Sequence, residues 1–431
     1  MNPTLLILIF IIFAFIIISY MIEKLDFVAI SLLGCFIAAT ITGISQSLQI
    51  QTFISFIEWE AIIIILSMSI ITKIAQDSNV LEYIAVKMFK VSKGNQRIFF
   101  YLLCILSTLL ASIISDVVVV LILAPVVIRL CHFLKIRAGT YLLGMTVCIN
   151  IGSIITPFSS GENIIISTYF NIGTSYFFQY YWIFAFSLLF LTTFLLDAKM
   201  LSKEPKIEAQ QKSFVLELVD ADVMIKNKFI FYFNSIAIII TVILFVILPY
   251  LYLTAAISAL ILVLVNQRYT NNKMSDILQD IEWEIIFFFI SLYVVVGCLL
   301  EAGFQEIIST FPFADFNLFF LSLIILLSVS FLSGAVANTP TALIFIPIVG
   351  TLIDLGFAPI PLLFAFIIGI NLGGNFLPQG AACDMMTLKI AQDSGVENFD
   401  KKRLIKYGGA YAIFHLVSSI GYLLLLVFFF G

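Results

Sequence analysis

The chain has 431 residues, with 22 Lys or Arg against 26 Asp or Glu, so charged residues make up 11% where a soluble globular chain carries roughly 25%. Apolar residues make up 62%, and Phe alone supplies 44, more apolar surface than a water-soluble protein of this length can cover. A soluble enzyme, a nucleic-acid binder and a disulfide-stapled secreted module are excluded, and the fold class is an all-α polytopic membrane protein. The net charge of −4 says little, because charge in a membrane protein is informative by loop. The six cysteines (Cys35, Cys104, Cys131, Cys148, Cys298 and Cys383) are scattered through apolar stretches without CxxC spacing and read as small core residues. The first apolar run, Leu5–Ile22, lacks a basic leader and an AxA-type site, so a retained span is expected.

A spanning helix needs about 20 mostly apolar residues. In chain order, ten stretches qualify: 4–22, 27–44, 59–76, 140–170, 176–197, 229–248, 250–266, 283–303, 359–391 and 407–430. The fourth and ninth exceed one helix and are interrupted by Gly, Pro and polar residues, so each is expected to be a broken helix. Two further stretches, 98–131 and 316–354, each hold two apolar runs of about 15 residues around a polar centre, short of what a crossing needs. They are expected to be re-entrant hairpins. The segment 79–97 sets Lys87, Lys90, Lys93 and Arg97 among Val, Ile, Met and Phe and reads as an amphipathic surface helix. With that count, all 22 basic residues fall on one face, in loops around Lys24, Lys73 to Arg97, Arg129 to Arg137, Lys199 to Lys228, Arg268 to Lys273 and Lys389 to Lys406. The loops 45–58, 171–175, 249, 304–315 and 355–358 hold none. The positive-inside rule makes the basic face cytoplasmic and puts both termini outside, in the cell membrane.

The second half echoes the first at an offset of about 222. Ile57-Glu58-Trp59-Glu60 recurs as Ile281-Glu282-Trp283-Glu284, Asp116 falls on Asn338, and Pro125 on Pro347. Asn150 through Pro157 falls on Asn371 through Pro378. Residues 1–197 and 229–431 are thus read as two repeats of five spans and one hairpin each, joined by a basic cytoplasmic linker, 198–228. An odd number of crossings inverts one copy relative to the other, the plan of secondary transporters, whose site lies at the repeat interface. The hexapeptide Lys73–Ser78 also recurs at Lys389–Ser394, but off this register, and is taken as coincidence.

Helix breakers inside a span free backbone groups that lipid cannot satisfy, and such backbone is tolerated only inside protein or beside a cavity. The first break runs from Asn150 through Gly152, Thr156 and Glu162 to Asn163, and the second from Asn371 through Gly373, Gly374, Asn375 and Pro378 to Asp384. Each could offer carbonyls to a cation and a half-helix N-terminus to an anion. A plain kink repaired by Ser and Thr is the blander reading. The hairpin tips are polar too: Ser112-Ile-Ile-Ser115-Asp116 and Ser333-Gly-Ala-Val-Ala337-Asn338-Thr339.

Tips of the Ser-Asn-Thr kind followed by Pro125 and Pro347, each paired with an Asn-x-Gly break, make the chain resemble the ion transporter superfamily. That group holds arsenite permeases, sodium/proton antiporters and sodium-coupled citrate and dicarboxylate carriers. The resemblance spans the whole chain. It implies an ion-coupled secondary transporter with tip hydroxyls and amides at the substrate, and places Na⁺ among Asp116, Asn150, Asn338 and Asn371, with Na⁺ or H⁺ as coupling ion and no other cofactor. The sequence departs from the pattern at Asp116 for Asn, Val117 for Thr, Ala337 for Ser, Glu162 for a neutral residue, and Asp384 for the break's Asn. Three carboxylates in one site repel a dianion and suit a proton carrier. An arsenite-like weak acid is therefore ranked first as cargo, then sodium/proton antiport, then citrate or dicarboxylate carriage. An enzyme is not expected, since HExxH and GxGD are absent and Gly173-Thr174-Ser175 has no His nearby. No GxxxxGK[ST] occurs either. The expected partners are a small solute or ion and the bilayer. The sequence is compatible with a homodimer and with a separate cytoplasmic ATPase. His415 reads as an interhelical hydrogen-bonding group, and Trp59, Trp182 and Trp283 as interface anchors.

Overall fold

A computed structural model describes residues 3–22, 24–207, 221–248, 250–270, 273–311, 313 and 316–431. The middle of the expected linker, 208–220, and loop positions 249, 271–272, 312 and 314–315 lie outside the described residues. Every long element is helical: α1 (Pro3–Met21), α2 (Phe27–Gln46), α3 (Ile50–Ser55), α4 (Trp59–Asp77), α5 (Val80–Val91), α6 (Gln96–Ala111), α7 (Asp116–Phe133), α8 (Gly139–Gly152), α9 (Gly161–Tyr169), α10 (Thr174–Tyr180) and α11 (Trp182–Lys199). After the linker come α12 (Lys228–Ile247), α13 (Leu251–Thr270), α14 (Met274–Gln279), α15 (Trp283–Glu301), α16 (Phe304–Thr310), α17 (Leu318–Val336), α18 (Asn338–Asp354), α19 (Pro359–Gly373), α20 (Ala382–Asp393) and α21 (Lys401–Phe430).

Among the described residues, eleven helices are long and apolar enough to cross a membrane. They differ from the ten expected spans at the hairpins and at the first break. The hairpin arms α6, α7, α17 and α18 have 16, 18, 19 and 17 residues, longer than the apolar runs of about 15 that were counted. The helices outrun those runs because Ser and Thr turn their hydroxyls back onto the backbone, as Ser107 does to Leu103 O at 2.7 Å and Thr341 to Ala337 O at 2.8 Å, and so need no water. The expected fourth span divides into α8 and α9, of 14 and 9 residues.

The centre is the pair of broken helices. Every residue of α8 is buried, as is α19 from Pro361 to Gly373. Glycines set the spacing around them. A Cβ on Gly152 would lie 2.4 Å from Thr108 O of α6, and one on Gly373 would lie 2.5 Å from Ser330 O of α17. Gly369, one turn before Gly373, faces Val329 of the same arm at 2.9 Å. This is close small-residue packing of the GxxxG kind. Farther out, α2 lies along α15 and α13 along α4, and α12 turns Phe229, Ile236, Ile239 and Ile243 outward. The element order short helix, Trp-led helix, hairpin, broken helix occurs once before the linker and once after it. Trp59 Nε1 donates to Ile54 O at 3.3 Å and Trp283 Nε1 to Leu278 O at 2.7 Å, the same five-residue clasp twice.

The amphipathic helix expected over 79–97 is α5, with Leu81, Ala85, Val86, Met88 and Phe89 buried and Lys87 exposed over the Tyr83 ring. His415 sits in the interior, with Thr192 Oγ1 2.9 Å from its Nε2, joining α21 to α11.

Candidate functional site

The first break begins where α8 stops at Gly152 and resumes as α9 at Gly161, with Ser160 as its N-cap. The helix-breaking run between them frees carbonyls, and the chain's own side chains take most of them. Asn163 Nδ2 donates to Ser153 O and, at 3.2 Å, to Thr156 O. Ser159 Oγ donates to the same two carbonyls at 2.6 and 2.9 Å, and Trp182 Nε1 donates to Ile155 O at 2.9 Å. Asn, Ser and Trp donors thus repair this break from within the protein. Trp182 is half-buried and serves as a strut for the break as well as a helix-end aromatic. Thr156 Oγ1 donates to Ser112 O at 2.6 Å, tying the break to the first hairpin tip.

The second break passes from α19 through a 3₁₀ turn, Gly374–Phe376, to the start of α20. Its tip is fastened by Ser333, whose Oγ donates to Asn338 Oδ1 and, at 2.7 Å, to Ile370 O. Between the hairpin arms, Ala337 adopts φ 138, ψ 164, a region nearly confined to glycine.

The two breaks meet side chain to side chain. Asn338 Nδ2 donates to Glu162 Oε1 at 2.9 Å, Asn371 Nδ2 to Asn163 Oδ1 at 2.8 Å, and Asn150 Nδ2 to Asn375 Oδ1 at 2.8 Å. Thr146 Oγ1 donates to Asp384 Oδ1, and the Cys383 thiol donates to Asn150 Oδ1 at 3.3 Å. Each of these contacts joins one half of the chain to the other. Asp116 begins α7 half-buried, with Oδ1 accepting from Val117 N at 2.8 Å. It faces Cys383 and lies within electrostatic reach of Asp384, Glu162, Tyr20 and Glu282. Among the described residues, no Lys, Arg or His joins these contacts. The arrangement can hold protons or a small cation on carboxylates, with amides in support, and it offers an anion no cationic partner.

Of the residues singled out in the sequence, Asn150, Glu162, Asn163, Asn338, Asn371, Asn375 and Asp384 all take part in these contacts between the halves. Thr156 fastens the first tip. Gly152 and Gly373 serve helix packing, and Ser115 is exposed. Thr339 is half-buried, and its hydroxyl takes no hydrogen bond among the described residues. Thr146 and Cys383 were missed as site residues, and Ser333 was named only as part of the tip. Thr146 stands one turn before Asn150, and Ser333 lies five residues before Asn338, on the side of the tip facing the break. A search for polar residues at helical spacing from the breaks would have found Thr146. A separate cavity of about 330 Å³ lies beside Gln305, Thr351 and Asp354, at the ends of α16 and α18, away from this network.

A family model described as a citrate transporter matches residues 13–328, well over half of the chain. The chain belongs to the citrate transporter family. It is a multi-pass membrane transporter and not an enzyme. The match covers the first tip and break and ends in α17, before the second tip. The chain is similar to the 46 kDa membrane protein of Mycobacterium leprae, 26% identical over 381 residues that make up 85% of this chain and 86% of that one. An uncharacterized transporter of Mycobacterium tuberculosis is likewise 26% identical, over 87% of this chain and 88% of its own. The fold is similar to that of the YdaH transporter of Alcanivorax borkumensis, with a TM-score of 0.62 at 11% identity over 88% of this chain and 87% of that one.

Proposed function

We propose that this member of the citrate transporter family is a secondary active transporter of a small weak acid, carried by ion-coupled alternating access between two inverted-topology repeats in the cell membrane. The observation that carries the proposal is the crossed network, in which both breaks and the second tip meet around carboxylates with no basic partner. An anion entering such a site needs compensating positive charge, and protons or Na⁺ on Asp116, Glu162 and Asp384 supply it. The inverted relation is supported by pairings that interchange when the halves are exchanged: α2 with α15 and α13 with α4, α7 with α20 and α18 with α9. The family match favours a carboxylic acid such as citrate as cargo, and the acidic site favours a weak oxyacid such as arsenite. Sodium/proton antiport is the second reading, favoured by the absence of a cationic anion partner among the described site residues.

The test is a flux screen with the purified chain in proteoliposomes, offering citrate, succinate, arsenite and Na⁺ with and without a proton gradient. Gradient-driven uptake of an acid supports the proposal. Na⁺ movement against protons with no acid uptake replaces it with the second reading.

A further inference from the structure

We infer that the resting conformation of this chain opens the site to the cytoplasm, through a water-filled route along α7 and α20, and seals it from the outside with α9 and α18. This rests on the sidedness and the alternating-access reading above, and it says which side is open.

Residues 222 positions apart in the two halves can be compared one by one, and they differ in burial in a single direction. On the cytoplasmic side, Ser115 and Leu121 at the start of α7 are exposed, as are Ala382 and Lys389 of α20, and Met386 is half-buried. Their outer-side counterparts, Ala337, Leu343, Ser160, Ser167 and Ile164, are all buried. The leucines decide the point, since the same side chain is 41% exposed at Leu121 and 2% exposed at Leu343. Composition therefore does not account for the difference. The uncovered residues also follow helical spacing. Val118, Leu121, Pro125 and Ile128 form a stripe on α7, and Ala382, Met386 and Lys389 form one on α20. Both stripes run from the tip and break toward the cytoplasmic helix ends.

Packing differs in the same sense. On the outer side, α9 lies against α4 and α18 against α15. The exchanged pairs, α20 with α15 and α7 with α4, touch at most glancingly. Because α7 and α20 lie against each other, they stand off together from the helices that their counterparts close upon. Across from them, Glu282 at the head of α15 and Tyr20 of α1 come within electrostatic reach of Asp116. The polar residues along the route are Ser115, the half-buried Asp116 and Lys389, and such groups at membrane depth are placed against water or protein, not lipid. Exchanging the roles of the two sets would close α7 and α20 and uncover α9 and α18, which is what two inverted copies permit.

The experiment places single cysteines in the full chain, in sealed membrane vesicles of either orientation, and follows their reaction with an impermeant maleimide. The six native cysteines are buried, so the parent chain sets the background. L121C and A382C should react from the cytoplasmic side only. They should react at least about tenfold faster than L343C and S160C do from the outside, since a minor conformation is populated to about 10% or less. Reaction of L343C from the outside as fast as that of L121C from the inside overturns the inference and leaves sidedness and alternating access intact. Reaction of L121C with a lipid-soluble maleimide alone also overturns it, because the stripe then faces lipid. Labelling of L121C from both sides describes a continuous pore and overturns the alternating-access reading as well.

Discussion

Asp116 and Asn338 stand 222 residues apart in the sequence, and so do Glu162 and Asp384. Where the second tip offers an amide N–H to Glu162, the first tip carries the carboxylate of Asp116, within electrostatic reach of Asp384. Substituting D116N restores an amide and removes the titratable charge. The variant should insert and fold as the parent does, while the pH and sodium dependence of flux in proteoliposomes is lost. An unchanged pH profile would reduce Asp116 to a cap on α7. At Gly152 the expectation is steric. The added methyl of G152A would fall 2.4 Å from Thr108 O, and such overpacking costs about 1–3 kcal/mol, readable as a lower melting temperature in detergent. A337G should act in the opposite direction, relieving a conformation that costs roughly 1–3 kcal/mol in a non-glycine residue. At this scale the sequence was informative wherever a residue type is out of place in lipid, which is why Asp116, Glu162 and Asp384 stood out. It was silent on pairing. Nothing near Glu162 in the chain indicates that its partner is Asn338, 176 residues away, because that contact exists only once the halves are packed together.

The hairpins and broken helices were visible as elements because Gly, Pro, Asn and Ser interrupt apolar runs that lipid would otherwise keep helical. Their internal repair was harder to see. A run such as Ser153-Ile-Ile-Thr-Pro-Phe-Ser159 frees carbonyls whether a cation or a side chain will take them, and only the fold brings Asn163 back onto Ser153 O and Thr156 O. Removing that amide tests the repair. N163A leaves Thr156 O and Ser153 O with Ser159 alone and removes one of the two acceptors of the Asn371 amide, leaving it Ile367 O. Each lost partner of a buried polar group costs about 1–3 kcal/mol. The expected outcome is a clear fall in thermal stability of N163A, read as a lower melting temperature in detergent. Equal melting temperatures for N163A and wild type would show that the break does not depend on this side chain. Arm length was misjudged for a related reason. Counting apolar residues omits the Ser and Thr that remain helical by bonding to their own backbone.

For the whole molecule, composition sufficed for the class, and basic-residue placement gave a sidedness that cysteine labelling can check. Single cysteines in 45–58 and 171–175 should react with an impermeant maleimide only from outside, and those in 199–207 only from inside. Reversal of either set would remove both the orientation and the inverted relation between the halves. The pairings α2 with α15 and α13 with α4 could not be read from the chain, since their outward faces are as apolar as their inward ones and lipid tolerates both.

The glycine contacts of α8 and α19 bear on how such a carrier can move. Between α6 and α8, and between α17 and α19, backbone meets backbone with no side chain between them at Gly152 and Gly373. Slippage by one turn, about 5.4 Å, would bring Cys148 to the spot where Gly152 now clears Thr108. Each leading hairpin arm is therefore keyed to the half-helix behind it, as a tooth is keyed to its slot. The expectation that follows is that each hairpin arm moves together with its half-helix. A covalent staple between α6 and α8 should accordingly leave transport running.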